Sequence, residues 1–166
     1  MPVAELEVMQ DGNPVNMVEE IADINQWDFD RSDTHEINMM ITGLWSAYKL
    51  SLSWLEECEV LHLSCVFDLK VQPARELEVR RLISSINEQL LVGHFEAWFE
   101  EGGIVFRQGH LLSGGAMVNA EQLLNLISKA LDACEQYFQA FQFVVWSGKP
   151  ASEALAHSMF DTYGNA

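Results

Sequence analysis

Basic side chains are scarce in this sequence: nine lysines and arginines stand against 25 aspartates and glutamates, for a formal charge of −16 over 166 residues. A surface of that sign repels a polyphosphate backbone, which excludes nucleic acid as a general partner. Cysteine is scarce as well. Three thiols, an odd number at irregular spacing, read as reduced side chains that serve as small core hydrophobes rather than as a disulfide framework. No apolar run approaches the roughly 18 residues that a membrane span needs. The opening MPVAELEV also lacks the basic stretch followed by an apolar one that marks export. The expectation is a cytoplasmic protein with no membrane partner.

The motifs of common chemistry are missing too. Ser113 and Ser147 lie outside any G-x-S-x-G elbow, and the pairs Gly102-Gly103 and Gly114-Gly115 fit neither phosphate-binding pattern, so they read as turn residues. His94-Phe95-Glu96 matches the H-x-E of zinc deaminases, but no C-x-x-C follows it. In DFDRSDTHE, residues 28–36, Asp33 occupies the position where a calcium loop needs Gly, and Met39 the position of its bidentate Glu. Cys58, His62 and Cys65 fall within eight positions. As a strand, however, VLHLSCVFD turns Leu61, Leu63, Cys65 and Phe67 to one side and Val60, His62, Ser64 and Asp68 to the other, so His62 and Cys65 point apart. The expected catalytic, metal and cofactor sets are all empty.

What is present is enough for one core. Apolar residues make up 49% of a chain of common single-domain size. Residues 1–12 read as an acidic N-terminal segment, 13–160 as one domain and 161–166 as a tail. Acids crowd the start: Glu5, Glu7, Asp11, Glu19, Glu20, Asp23, Asp28, Asp30, Asp33 and Glu36 accompany only Arg31. Asn13-Pro14 predicts a helix over 14–25 with Val15, Val18, Ile21 and Ala22 on one face. From Trp27 to Asp68 the period is two, which predicts successive antiparallel strands with turns near Gly43 and Glu56-Glu57. Pro73 opens a helix running to Leu90, with Glu76 placed to pair with Arg80. His94–Leu112 then predicts a hairpin closing at Gly102-Gly103.

Asn119 and Gln122 predict a capping box. It starts the longest helix, whose stripe is Leu123, Leu124, Ile127, Ala130, Leu131, Cys134, Phe138, Phe141 and Val145. Gly148 and Pro150 end it, before a short terminal helix over SEALAHSMF. The class is α+β, an antiparallel sheet packed against helices.

Two groups of side chains have both an interactive and a plain reading. The tryptophans at 27, 45, 54, 98 and 146 form either a stacking surface or core. Arg75, Arg80 and Arg81 either grip an acidic partner or lace a helix face with Glu76 and Glu78. The 73–90 helix carries Leu77 outside its stripe of Val79, Leu82, Ile83, Ile86 and Leu90, wider than one sheet face requires. The candidate partner or self-association surface is therefore Leu77, Arg80, Arg81, Trp45, Trp54 and Trp98, and a homodimer through this helix is expected, its arginines reducing repulsion between the two acidic chains.

The segments WDFDR (27–31), GLW (43–45), LSLSW (50–54), LHLSCVFDLKV (61–71), INEQL (86–90), GHFEAWFEEG (93–102) and FQFVVWSGK (141–149) together resemble the YbjN domain family, bacterial sensory transduction regulators, over about residues 13–160. The resemblance implies a fold similar to type III secretion chaperones, a curved antiparallel sheet on helices, usually dimeric. Such proteins are small, acidic and non-enzymatic, and they bind extended segments of partner proteins. No family catalytic residue exists to carry over. The functional expectation is a protein-binding module, chaperone-like adaptor or sensory transduction regulator, holding a protein or peptide by main-chain pairing and apolar pockets. The alternative is a small-molecule sensor with an apolar pocket between sheet and helix.

Overall fold

Asn13 caps the first helix by accepting the Val15 N–H on its side-chain oxygen at 3.0 Å, while Pro14 brings no N–H that would need a partner. The computed structural model describes residues 12–164, with side chains described through His157. The acidic segment therefore lies outside the described residues up to position 11, and so do the last two positions. The elements in chain order are α1 (Pro14–Ile24), β1 (Asp28–Asp33), β2 (Glu36–Thr42), β3 (Ala47–Leu55), β4 (Val60–Phe67), α2 (Glu76–Asn87), β5 (His94–Trp98), β6 (Gly103–Leu111), α3 (Ala120–Ser147) and α4 (Ala151–Gly164). The strands form one antiparallel sheet of order β1-β2-β3-β4-β6-β5.

Burial along the strands explains why the helices lie where they do. In β4, Leu61, Leu63, Cys65 and Phe67 are buried and Val60, His62, Ser64 and Val66 are half-exposed, the alternation of a sheet covered on one side. That side meets α1 across β1–β3, α3 across β4 and β6, and α2 across β5. Phe67 sits at its centre, edge-on to Tyr48 and Phe138 at 6.3 and 5.4 Å between ring centroids. Phe141 joins it at 5.7 Å and also packs on Phe95 at 5.2 Å, so one α3 side chain links the two halves of the sheet. The thiols of Cys65 and Cys134 touch at 3.6 Å inside this core.

Several expectations are corrected in detail. Pro73 opens a 3₁₀ turn, Pro73–Arg75, and α2 begins at Glu76. The helix stops at Asn87 rather than Leu90, because the Asn87 side chain is taken up by main chain: its Oδ1 accepts the Phe95 N–H at 2.8 Å and its Nδ2 donates to the Phe95 carbonyl at 3.0 Å. On α3 the buried set is rotated from the one expected. Leu126, Ala133, Tyr137, Ala140 and Val144 are buried, whereas Leu124, Leu131 and Val145 lie at the margin. This helix packs on α1, α2 and α4 as well as on the sheet, so one stripe does not describe its covered side.

The Asn119–Gln122 capping box is present, and Gly148 in the left-handed region, φ +71°, ends α3. The Ala151 N–H at the start of α4 donates to Glu78 of α2 at 3.0 Å, and α4 continues to Gly164, into the stretch assigned to a tail. The core is also poorer in tryptophan than its composition suggests. Trp27 and Trp54 pack at its edge, while Trp45 and Trp146 are exposed; phenylalanine and tyrosine fill the centre.

Phe67→Ala is expected to cost ~3–5 kcal/mol of unfolding free energy, since it empties the meeting point of three rings. Trp146→Ala, at 70% exposure, is expected to stay within ~0.5 kcal/mol of the parent. Urea midpoints for the two variants check this.

Candidate functional site on the uncovered sheet face

The register places the residues of the face opposite the helices in rows. Leu55, Val60 and Leu111 are neighbours across β3, β4 and β6, and the next row is Ser53, His62 and Gly109. Beyond it come Ser51, Ser64, Arg107 and His94, then Lys49, Val66, Val105 and Glu96. On β2, Glu36, Asn38 and Met40 continue the last three rows. Hydroxyls and amides tie the β1–β3 end together: Asn38 donates to Ser32 Oγ at 3.0 Å, and the Ser51 hydroxyl donates to Asn38 Oδ1. Exposed apolar side chains flank the polar rows, Met40 on one side and Leu55 and Leu111 on the other.

At the other end the charges are paired among themselves. Glu96 accepts from His94 Nε2 at 2.8 Å, from Trp98 Nε1 at 2.9 Å and from Arg107 Nη1 at 2.9 Å. Arg107 also donates from Nε to His62 Nε2 at 3.0 Å, and its guanidinium lies 5.3 Å from the centre of the Trp98 ring. The hydrogen bond from His94, with those from Arg107 and Trp98, holds the Glu96 carboxyl at a pKa of about 2 against the opposing effect of burial. His62 is shifted down from 6.5, first by burial and then by the Arg107 charge, which suits a neutral ring accepting on Nε2. The arrangement is a rigid patch of hydrogen-bonded charge with an aromatic plate beside it.

The candidate surface residues fall in three places. Arg80 of α2 stacks over Phe99 at 4.8 Å, next in sequence to Trp98, and Leu77 is 60% exposed on the same helix. Arg81 pairs with Glu78 at 2.6 Å, the pairing realised on this helix in place of the Glu76–Arg80 pair expected. Trp45 is in the β2–β3 turn, held to α3 where the Leu44 N–H donates to Glu135 at 2.6 Å, and Trp54 packs at the core margin near the far end of β3. Arg75 leaves the arginine group entirely and donates to the Val144 and Lys149 carbonyls at 2.9 and 3.0 Å.

Cys58 is exposed in the β3–β4 turn, His62 is on the outer face and Cys65 is in the core. No group of three or more His, Cys, Asp or Glu able to hold a metal stands among the described residues. None of the described helices is long and apolar enough to cross a membrane. A cleft of about 300 Å³ opens between α3 and α4, lined by Gln139, Phe143, Trp146 and His157 among others, which is not the sheet–helix position a sensor pocket was expected to take.

The Glu96–Arg107 pairing was within reach of the sequence but was not drawn from it. Alternation puts His94, Glu96 and Trp98 on one face, and a hairpin turning at Gly102-Gly103 brings Arg107 opposite His94.

The sequence profile of the YbjN family, described as "Putative bacterial sensory transduction regulator", matches residues 14–143, more than half of the chain. Similar solved structures include two. One is YbjN from E. coli, described as "a putative transcription regulator", at TM-score 0.54 and 13% identity over 86% of this chain and 92% of that one. The other is the ExsC–ExsE complex, at TM-score 0.55 and 17% identity over 74% and 88%. At such identities the likeness is one of fold, and the fold is the type III secretion chaperone-like α+β arrangement expected. No curated protein matches the sequence. Family and fold together fit a regulatory or partner-binding, non-enzymatic role.

The cluster makes stability depend on pH in two windows. His62 titrates lower in the folded chain than its ordinary 6.5, so the unfolded chain takes up the proton first and stability falls as pH drops below about 6.5. Glu96 titrates lower than its ordinary 4.5, so its contribution is complete above that value and is lost as pH falls toward about 2. In urea melts from pH 8 to pH 3, His62→Gln is expected to flatten the first slope and Glu96→Gln the second. A parent and a His62→Gln variant with the same slope between pH 6.5 and pH 5 contradict the neutral ring.

Proposed function

We propose that this chain, which belongs to the YbjN family, is a non-enzymatic cytoplasmic binding module that holds a partner protein on the uncovered face of its sheet. The observation that carries the reading is that face itself. Its side chains are fixed by one another rather than by a covering helix, and exposed Met40, Leu55 and Leu111 border the polar rows. Side chains already ordered lose little conformational entropy on association, and apolar groups beside satisfied polar ones are the anatomy of a protein interface. The fold it shares with ExsC, solved in complex with ExsE, supports the same kind of use here, as a chaperone-like adaptor or sensory transduction regulator. A small-molecule sensor is less well supported, because the space between sheet and helices is filled by packed rings and the cleft lies elsewhere.

Self-association belongs to the same reading. The exposed side of α2, with Leu77 beside Arg80 and Arg81, is where we place a homodimer contact.

Tagged protein in a native lysate is expected to retain a protein at near one-to-one stoichiometry. Met40→Asp and Ser64→Arg, both on the uncovered face, are expected to lower that recovery at least tenfold with unchanged melting temperature. Equal recovery by parent and variants overturns the reading. So does a melting temperature raised by a metabolite when no protein is captured. In sedimentation equilibrium at low and high salt the parent is expected to dimerise and Leu77→Asp to stay monomeric and folded. A parent that is monomeric at about 100 μM removes the dimer.

A further inference from the structure

The sheet has three stretches of strand edge, and two are blunted in ways edges usually are. On β1 the outer strand carries Asp28, Asp30 and Asp33, its register breaks between Asp30 and Asp33, and the Arg31 side chain folds back onto the Asp33 and Thr34 carbonyls. On β5 the Asn87 amide occupies both main-chain groups of Phe95. The third stretch is different. β5 pairs with β6 only from Trp98↔Gly103 to His94↔Arg107, whereas β6 runs on to Leu111.

Asn87 also fixes which groups of β6 are left over. Since the N–H and C=O of Phe95 point away from β6, alternation makes His94↔Arg107 and Glu96↔Val105 the pairs that exchange hydrogen bonds. On β6, therefore, Arg107, Gly109 and Leu111 direct their main-chain groups to the β5 side, and Gln108 and His110 direct theirs to β4. Gly93, at φ +71° and so close that a Cβ would stand 2.9 Å from the Arg107 carbonyl oxygen, turns the chain away just before β5 begins. Among the described residues no strand lies beside Gly109 and Leu111 on that side. Both are exposed, and the half of β6 that β5 covers, Gly103–Phe106, is buried.

We propose that the Gly109–Leu111 edge of β6 is a strand-addition site for a short extended segment of a partner protein, apolar at alternate positions and basic at the end beside Leu111. The proposal rests on the partner-binding reading and locates main-chain pairing within it. A residue added beside Leu111 on the outer face extends the row Leu55, Val60, Leu111 and meets apolar neighbours. The residue between two such positions faces the helix side, where the Gln108 Oε1 atom is shielded from water with no donor among the described residues. A hydroxyl or amide there supplies one. Glu59 lies across β6 from this side, its carbonyl taking the Leu112 N–H at 2.8 Å, and Glu56 and Glu57 share its turn, so acidic charge gathers at the Leu111 end of the edge and favours a basic residue there. A second copy of the chain does not fit. Three residues of edge fall far short of the roughly 1,000 Å² that a stable interface needs, and the copy brings another −16 of charge.

The probe is the peptide Lys-Val-Thr-Val-Thr-Val-Lys, titrated into the full chain while amide exchange is followed by NMR. Without peptide, Gly109 and Leu111 are expected to exchange much faster than Gln108 and His110. Saturating peptide is expected to slow those two amides at least tenfold. Gly109→Pro, which removes a donor on the open side only, and Leu111→Asp, which leaves the β4 ladder intact, are each expected to weaken binding at least tenfold. Unchanged exchange at Gly109 and Leu111, protection of Asp28–Asp33 instead, or equal binding by both variants overturns the site. Protection that rises with protein concentration alone assigns the edge to a second copy and overturns it as well. Because Met40 is on β2, with β3 and β4 between it and β6, lysate capture lost in Met40→Asp but kept in Gly109→Pro preserves the broader reading while rejecting this site.

Discussion

A strand in a sheet covered on one side must divide its residues between two environments, and β4 does so for the whole molecule. Leu61, Leu63, Cys65 and Phe67 go to the helices, and His62 and Ser64 go to water. Shifting its register by one residue would bury an imidazole and a hydroxyl and expose Phe67, so the pairing with β3 and β6 is held by the hydrophobic pattern. The position of α3 follows. Its Cys134, Phe138 and Phe141 meet the buried side of this strand, and α1 and α2 are placed on either side of it. The uncovered face is the other half of the same constraint. None of the described helices packs on it, and its polar rows are satisfied laterally.

The edges show the same economy with side chains. α2 ends where Asn87 leaves the helix to serve as a surrogate strand for Phe95, so one residue terminates a helix and closes a sheet edge. Arg75 acts similarly at the end of α3, where its guanidinium takes carbonyls that a helix C-terminus leaves without partners. Arg75 read in the linear chain as part of an arginine group that grips a partner or laces a helix face; it is structural, as is Asn87.

Much of the fold was legible because its signals are local. Asn13-Pro14, Asn119 with Gln122, Gly148 and the period-two runs each act over a few residues and were realised as expected. The misreadings involve distant partners. Leu90 continues the helical spacing of α2, but the contact that decides its end is Asn87 with Phe95. Leu124, Leu131 and Val145 continue a stripe that the surrounding helices rotate. The candidate surface shows the same division: Leu77 and Arg80 were legible as a helix side, whereas Trp45 falls in the β2–β3 turn and Trp54 near the far end of β3, positions set by the strand pairing.

The charged cluster illustrates why a dense group of titratable side chains need not be a centre of proton chemistry. A general base or acid at neutral pH works best with a pKa near 7. Glu96 is held at about 2, and its oxygens are engaged by His94, Trp98 and Arg107. His62 is shifted down from 6.5 and already accepts from Arg107. At neutral pH Glu96 carries its negative charge and His62 is uncharged, which is the behaviour of a fixed recognition surface. Arg107 is the side chain that both groups share. A single guanidinium bonds both neighbours, joins β4 to β5 across β6 and lies over Trp98, so the charged pair and the aromatic plate meet at one side chain.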